Sequence, residues 1–116
     1  MLLYLEGKHH PQLALSPRVL YVAHDDESMI GYIAGHLARR FECDGELQWL
    51  FVPPYFRRKG VATELFQLLA SWFAMHQVSR LCVNVAPDNT AARAFYMRHG
   101  ASHLSEHWLV WNRTVL

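Results

Sequence analysis

VPPYFRRKGVATEL, residues Val52–Leu65, is the stretch on which the fold turns. It begins at the end of a strand-like run, Glu46–Val52 (ELQWLFV). Side chains there alternate: Glu46, Gln48, Leu50 and Val52 point one way, and Leu47, Trp49 and Phe51 the other. Pro53-Pro54 ends the run, because proline has no N–H to give to a ladder. Arg57, Arg58 and Lys59 form a basic loop, and Gly60–Gln77 follows with helical periodicity. Val61, Leu65, Leu68, Leu69 and Trp72 fall on one apolar stripe of that helix. The stretch therefore reads as strand, basic loop, helix.

The physics of that arrangement is anion binding. The first N–H groups of a helix have no partner inside it, and the helix dipole adds partial positive charge at the same end. Gly60 and Ala62 carry little bulk, so an anionic group can approach the backbone closely. Three adjacent cationic side chains suit more than one phosphate, which makes the loop a candidate pyrophosphate cradle. A solvated basic loop is the plain alternative. GxxxxGK[ST] and GxGxxG are both absent, which argues against a Walker-type nucleotidase and a Rossmann dinucleotide site.

Working outward, Arg18–His24 (RVLYVAH) and Met29–Leu37 (MIGYIAGHL) read as a strand hairpin around the polar turn Asp25–Ser28. Gly31 and Gly35 weaken the second strand. Arg39–Gly45 reads as a polar connection. Beyond the central helix, Arg80–Ala86 is a short strand. Pro87–Thr90 starts a helix with Asp88 or Asn89 as N-cap, Ala91–His99 is its body, and Gly100 is a natural C′ residue. Ser102–Trp111 closes as one or two strands. The order is strand, strand, strand, helix, strand, helix, strand. That is a mixed α/β (α+β) domain: a mostly antiparallel sheet with flanking helices and one parallel strand–helix–strand crossover over Glu46–Ala86.

Composition sets the outer limits. With 116 residues and 13.5 kDa, the chain is expected to be a single domain over 1–116, its residues 1–17 a short, weakly patterned lead-in. A hydrophobic fraction of 52% supports a packed core. Eleven basic and ten acidic residues leave a net charge of +1, so neither a nucleic-acid nor a membrane partner is expected. Cys43 and Cys82 read as reduced thiols of a cytoplasmic protein. His99, His103 and His107 are four apart, but Gly100 breaks the helix that would align them, so no metal is expected. Met75 and Met97 read as helix packing. Trp49, Trp72, Trp108 and Trp111 read as core or interface aromatics, and the short lead-in together with a tail carrying Trp108 and Trp111 suggests apolar surface that a second copy could cover, which makes a homodimer the expected assembly.

A resemblance rests on two of these stretches. Arg57-x-x-Gly60-x-Ala62 resembles the R/Q-x-x-G-x-G/A signature of the GNAT superfamily of acyl-CoA-dependent N-acetyltransferases. Asn89-x-x-Ala92-x-x-x-Tyr96-x-x-x-Gly100 resembles that family's second hallmark, and the likeness runs from Arg18 to Trp111. Ala62 replaces the second glycine, and members usually carry one or two helices before the first hairpin that help form the acceptor pocket.

The resemblance implies acetyl-CoA as cosubstrate and an amine of a small molecule or peptide as acceptor, and direct attack in a ternary complex is expected because neither Cys43 nor Cys82 sits in a nucleophile motif. It implies that Leu50, Phe51 and Val52 pair with the pantetheine arm. Arg58, Lys59, Gly60, Val61, Ala62 and Thr63 would then hold the pyrophosphate, with Arg57 at the same loop. Tyr96 would protonate the leaving thiolate, and Asn89 would contact the cofactor or cap its helix. Glu46 resembles a frequent base position in the family, with Glu106 and His107 as further candidates. Asn84 stands where the ribosomal-protein N-terminal acetyltransferases carry a glutamate, and an amide cannot act as base. A non-catalytic acyl-CoA-binding module is the alternative function.

Overall fold

The computed structural model describes residues 14–57 and 59–112, with side chains from Pro17 onward. Among these residues six strands form one sheet: β1 (Ala14–His24), β2 (Met29–Arg40), β3 (Cys43–Phe51), β4 (Arg80–Asn84), β5 (Ser102–Ser105) and β6 (Trp108–Asn112). Their order across the sheet is β1-β2-β3-β4-β6-β5. β3 and β4 pair in parallel, and all other neighbours are antiparallel. The helix α1 (Val61–Met75) joins the two parallel strands, and α2 (Thr90–Arg98) joins β4 to β5. This is the expected element order, with the closing segment resolved into two strands. Residues 1–13 of the lead-in and Arg58 lie outside the described residues. Among those described, no helix is long and apolar enough to cross a membrane.

One core lies between the sheet and both helices. Leu65, Phe66, Leu69 and Phe73 of α1 and Tyr96 of α2 meet Ile33, Leu47, Leu81, Val83, Leu109 and Trp111. Phe66 links the two helices and the sheet, its ring 6.3 Å from Phe95 and 5.2 Å from Trp111. Strand period two then sends Cys82 and Val110 to the opposite face, where they join Cys43 and Trp108 in a smaller cluster. Both cysteines are free and buried.

Several boundaries and faces differ from expectation. The polar connection over 39–45 shrinks to the two-residue turn Phe41–Glu42, whose backbones both sit at positive φ, 52° and 62°. Tertiary contacts hold that conformation. Phe41 stands edge-on to Trp108 at 5.1 Å, and Arg80 Nη1 donates to the Phe41 carbonyl at 3.1 Å. The α1 stripe is also rotated from the expected one. Leu68 is 49% exposed, and Phe66 and Phe73 take the buried positions instead. Met75 and Met97 are exposed rather than packed, because they lie on the outer sides of their helices. Trp108 and Trp111 are buried in the two clusters, so the apolar surface that suggested a dimer does not exist there.

The strand glycines have a packing reason. A Cβ on Gly35 or on Gly45 would lie 2.8 Å from the Phe73 ring. The large aromatic of α1 thus sits directly on bare backbone of β2 and β3. Asp44 ties the start of β3 to that of β4: its carboxylate accepts from the N–H groups of Ser79 and Arg80, at 2.9 and 2.8 Å.

Candidate active site

The site begins where β3 parts from β4. The parallel ladder runs through Gly45–Leu81, Glu46–Cys82 and Leu47–Val83 and goes no further. β3 continues to Phe51, paired among the described residues only with β2, through Ile33–Leu50 and Tyr32–Phe51. Its other edge faces a cleft of about 540 Å³. β4 meanwhile turns to β6, where the Val85 N–H donates to the His107 carbonyl at 2.8 Å.

A bulge sets the direction of that free edge. Ala34 faces Trp49 while Gly35 faces Leu47, which leaves Gln48 as one extra residue in β3. The expected alternation therefore breaks in the middle of the strand. Leu47 faces the core before the bulge, and Leu50 and Val52 face it afterwards. Phe51 is turned outward, 40% exposed, and its ring lies 5.6 Å from that of Tyr32.

The double proline ends the ladder, and the chain then makes a single 3-10 turn, Pro54–Phe56. Arg57 Nε then donates to the Val52 carbonyl at 3.0 Å, which folds the loop back against the strand end. Lys59 rests over the Tyr55 ring at 4.3 Å. Gly60 is the N-cap of α1 in the left-handed conformation, φ 84°. A Cβ there would meet no atom within 4 Å, so the backbone is bare and the space in front of it open. No described side chain caps this helix, and its first internal bond is Glu64 N–H to the Gly60 carbonyl at 3.0 Å. The N–H groups of Val61, Ala62 and Thr63 are left without a helical acceptor.

α2 supplies the opposite wall. Its N-cap is Asn89, whose side-chain oxygen accepts from the Ala92 N–H at 3.2 Å. Of the two expected caps, Asn89 is the one used. The Thr63 hydroxyl meets His99 Nε2 at 3.4 Å, joining the start of α1 to the end of α2.

The cleft gathers Leu50, Phe51, Val52, Arg57, Gly60, Ala62, Thr63 and Asn89 from the sequence-derived set. It also takes in Phe56, Ala92, Phe95 and Arg98. Of these last, Ala92 alone is a fixed position of the two family-like motifs. The signal for Phe95 and Arg98 was the helical spacing from Asn89 through Ala92, which places them along one side of α2, whereas Phe56, in the turn after β3, carried no such signal. Lys59 and Val61 flank the cleft without lining it.

Tyr96 and Glu46 do not line the cleft either. Tyr96 is 6% exposed, its ring 5.5 Å from Trp111 and 5.7 Å from Phe95. Burial pushes its phenol up to about 12. Glu46 is 5% exposed on the sheet face away from the helices, and Arg40 Nε donates to its Oε1 at 3.2 Å. Burial raises its carboxyl above the ordinary range, against the opposing pull of His36 and Arg40. Among the described residues, no group of three or more His, Cys, Asp or Glu side chains is placed to share a metal ion.

Comparison with known proteins follows the same outline. The PaiA N-acetyltransferase from Thermoplasma acidophilum in complex with coenzyme A superposes with a TM-score of 0.70 at 17% identity, over 82% of this chain and 60% of that one. The NatC complex bound to Gag peptide and CoA gives 0.71 at 19%, over 80% and 70%. An acetyltransferase from Thermus thermophilus gives 0.71 at 20%, over 82% and 64%. The chain thus spans less than two thirds of the length of two of these three. Such identities speak for the fold alone. No curated protein matches the sequence significantly. The model of the acetyltransferase (GNAT) family matches residues 3–101, and with the open β3 edge and the uncapped α1 it leads to one conclusion: the chain belongs to the GNAT acetyltransferase family.

Proposed function

We propose that this chain transfers an acetyl group from acetyl-CoA to a primary amine of a small molecule or peptide, by direct attack in a ternary complex. One observation carries the reading: a single cleft collects the free edge of β3, the bare N-terminus of α1 and Asn89. An unpaired strand edge suits the amides of a pantetheine arm. Unpaired helix N–H groups beside Arg57 suit a pyrophosphate.

In the reaction the amine lone pair attacks the thioester carbon. The C–N bond forms, the C–S bond breaks, and the sulfur departs as thiolate. Tyr96 is the proposed donor to that charge, although its ring is packed in the core and does not line the cleft. A phenol near 12 stays protonated at neutral pH. Full transfer to a thiolate whose thiol lies near about 8.5 is uphill, so Tyr96 acts mainly by hydrogen-bonding the developing charge while solvent completes the protonation. Glu46 is the proposed base. Its raised carboxyl holds a proton more firmly than an exposed glutamate does, and water must carry the amine proton to it.

The non-catalytic alternative gains from the same placement, since Glu46 is held by Arg40 outside the cleft. Release of free CoA thiol from acetyl-CoA, measured over a broad panel of amines, separates the two. The enzyme reading expects turnover with some amine. It further expects Tyr96→Phe to lower turnover about a hundredfold, with acetyl-CoA affinity within about twofold of the parent. Tight binding with no turnover on any amine favours the module, and no binding at all ends both readings.

A further inference from the structure

His36 on β2 is fully buried, yet it belongs to no wall of the cleft. Its Nδ1 lies 2.8 Å from the Leu37 carbonyl and its Nε2 lies 3.0 Å from Gln48 Oε1. A carbonyl only accepts, so Nδ1 carries the proton of the first bond. Nε2 then either donates to Oε1 or accepts from the amide nitrogen turned toward it, and the pair is bonded in both cases.

Gln48 is the residue that the β2–β3 register leaves over. A bulged residue has lost its cross-strand partner, so the ladder alone does not hold it in place. The bond to His36 ties it back to β2. Its position along the strand gives the tie a consequence. Gln48 directly follows Leu47, which makes the last pair with β4, and directly precedes the segment whose edge is free. The bulge also sets the facing of everything after it, because a one-residue slip exchanges the two faces of a strand. With the bulge at Gln48, Leu50 and Val52 face the core and Phe51 faces outward.

We infer that His36 and Gln48 are positioning residues for the acyl-CoA: their bond pins the bulge and so aims the free backbone of Leu50–Val52 into the cleft. The inference rests on the proposed function, since it concerns the edge that would pair with the pantetheine arm. Neither side chain touches that ligand, so the effect passes entirely through the backbone of β3.

Amide side chains provide the test. Asparagine places a nitrogen near the position of Nδ1, and glutamine reaches to that of Nε2. His36→Asn keeps a group facing Leu37 and loses the reach to Gln48, whereas His36→Gln retains that reach. Calorimetric titration with acetyl-CoA should show Gln48→Ala and His36→Asn weakened about five- to tenfold, the scale of one lost hydrogen bond in a partly buried site. His36→Gln should stay within about twofold of the parent. Amide hydrogen exchange in the free protein should quicken at residues 49–52 in the two weakened variants. Gln48→Ala binding like the parent, or His36→Asn and His36→Gln weakened alike, overturns the inference. Gln48 is only half-buried, so its variant decides the matter alone if a His36 variant fails to fold. A parent chain that binds no acetyl-CoA overturns the functional reading itself and this inference with it, whereas an unaffected Gln48→Ala in a binding parent overturns the inference alone.

Discussion

Replacing Gly60 by asparagine and, separately, by aspartate tests the anion cradle with two nearly identical shapes. Gly60 sits at φ 84° as N-cap of α1, and a Cβ there meets no atom within 4 Å. Any cost of substitution is therefore conformational rather than steric. The left-handed region costs an ordinary residue about 1–2 kcal/mol, and Asn and Asp tolerate it best. Both also rank high as N-caps, and the helix dipole favours the aspartate by about 0.3–1 kcal/mol. Thermal unfolding should thus find Gly60→Asp no less stable than Gly60→Asn. Affinity should move the other way. Two phosphate charges at about 5 Å from a carboxylate repel it by roughly 1.5–3 kcal/mol in total, taking an effective dielectric of about 40–80 for this exposed position. Gly60→Asp should therefore bind CoA about ten- to a hundredfold more weakly than Gly60→Asn in calorimetry at low salt, and added salt should narrow the gap. Equal affinities for the two variants would refute the placement of the diphosphate at α1.

Three further outcomes are expected. Gly45→Ala should destabilise the fold by about 1–3 kcal/mol in denaturant titration, because its methyl would stand 2.8 Å from the Phe73 ring; an unchanged midpoint would show that Phe73 moves aside freely. Glu46 carries a raised carboxyl, so the folded chain keeps that proton to higher pH than the unfolded chain does. As pH climbs from the ordinary carboxylate value through the raised one, the parent should lose stability relative to Glu46→Gln; urea titrations showing the opposite trend would contradict burial as the dominant influence. Asn89→Ala should remove the bond to the Ala92 N–H and cost about 1 kcal/mol, seen as a lower thermal midpoint.

Local chemistry is what the sequence determined. Pro53-Pro54 had to end β3 and Gly60 had to open α1, because one lacks a donor and the other alone adopts φ 84° without strain. Asn89 had to begin a helix, since its short side chain reaches the backbone N–H three residues on. Those signals set the element order, the parallel crossover and the loop and helix start around Gly60, while Leu50, Phe51, Val52 and Asn89 of the cleft came from the family resemblance. Tertiary structure decided whatever depends on partners far along the chain. Phe41 and Glu42 adopt positive φ because Trp108 and Arg80, more than thirty residues away in sequence, hold the turn. Gln48 is a bulge residue because of the register with β2 and the imidazole of His36, neither of which a strand's own alternation can show. The same bulge moves Leu50 and Val52 to the core face, while Glu46 stays on the other face, bonded to Arg40. Propensity acts through neighbours in sequence, whereas register, facing and burial are set by contacts that exist only once the sheet has formed.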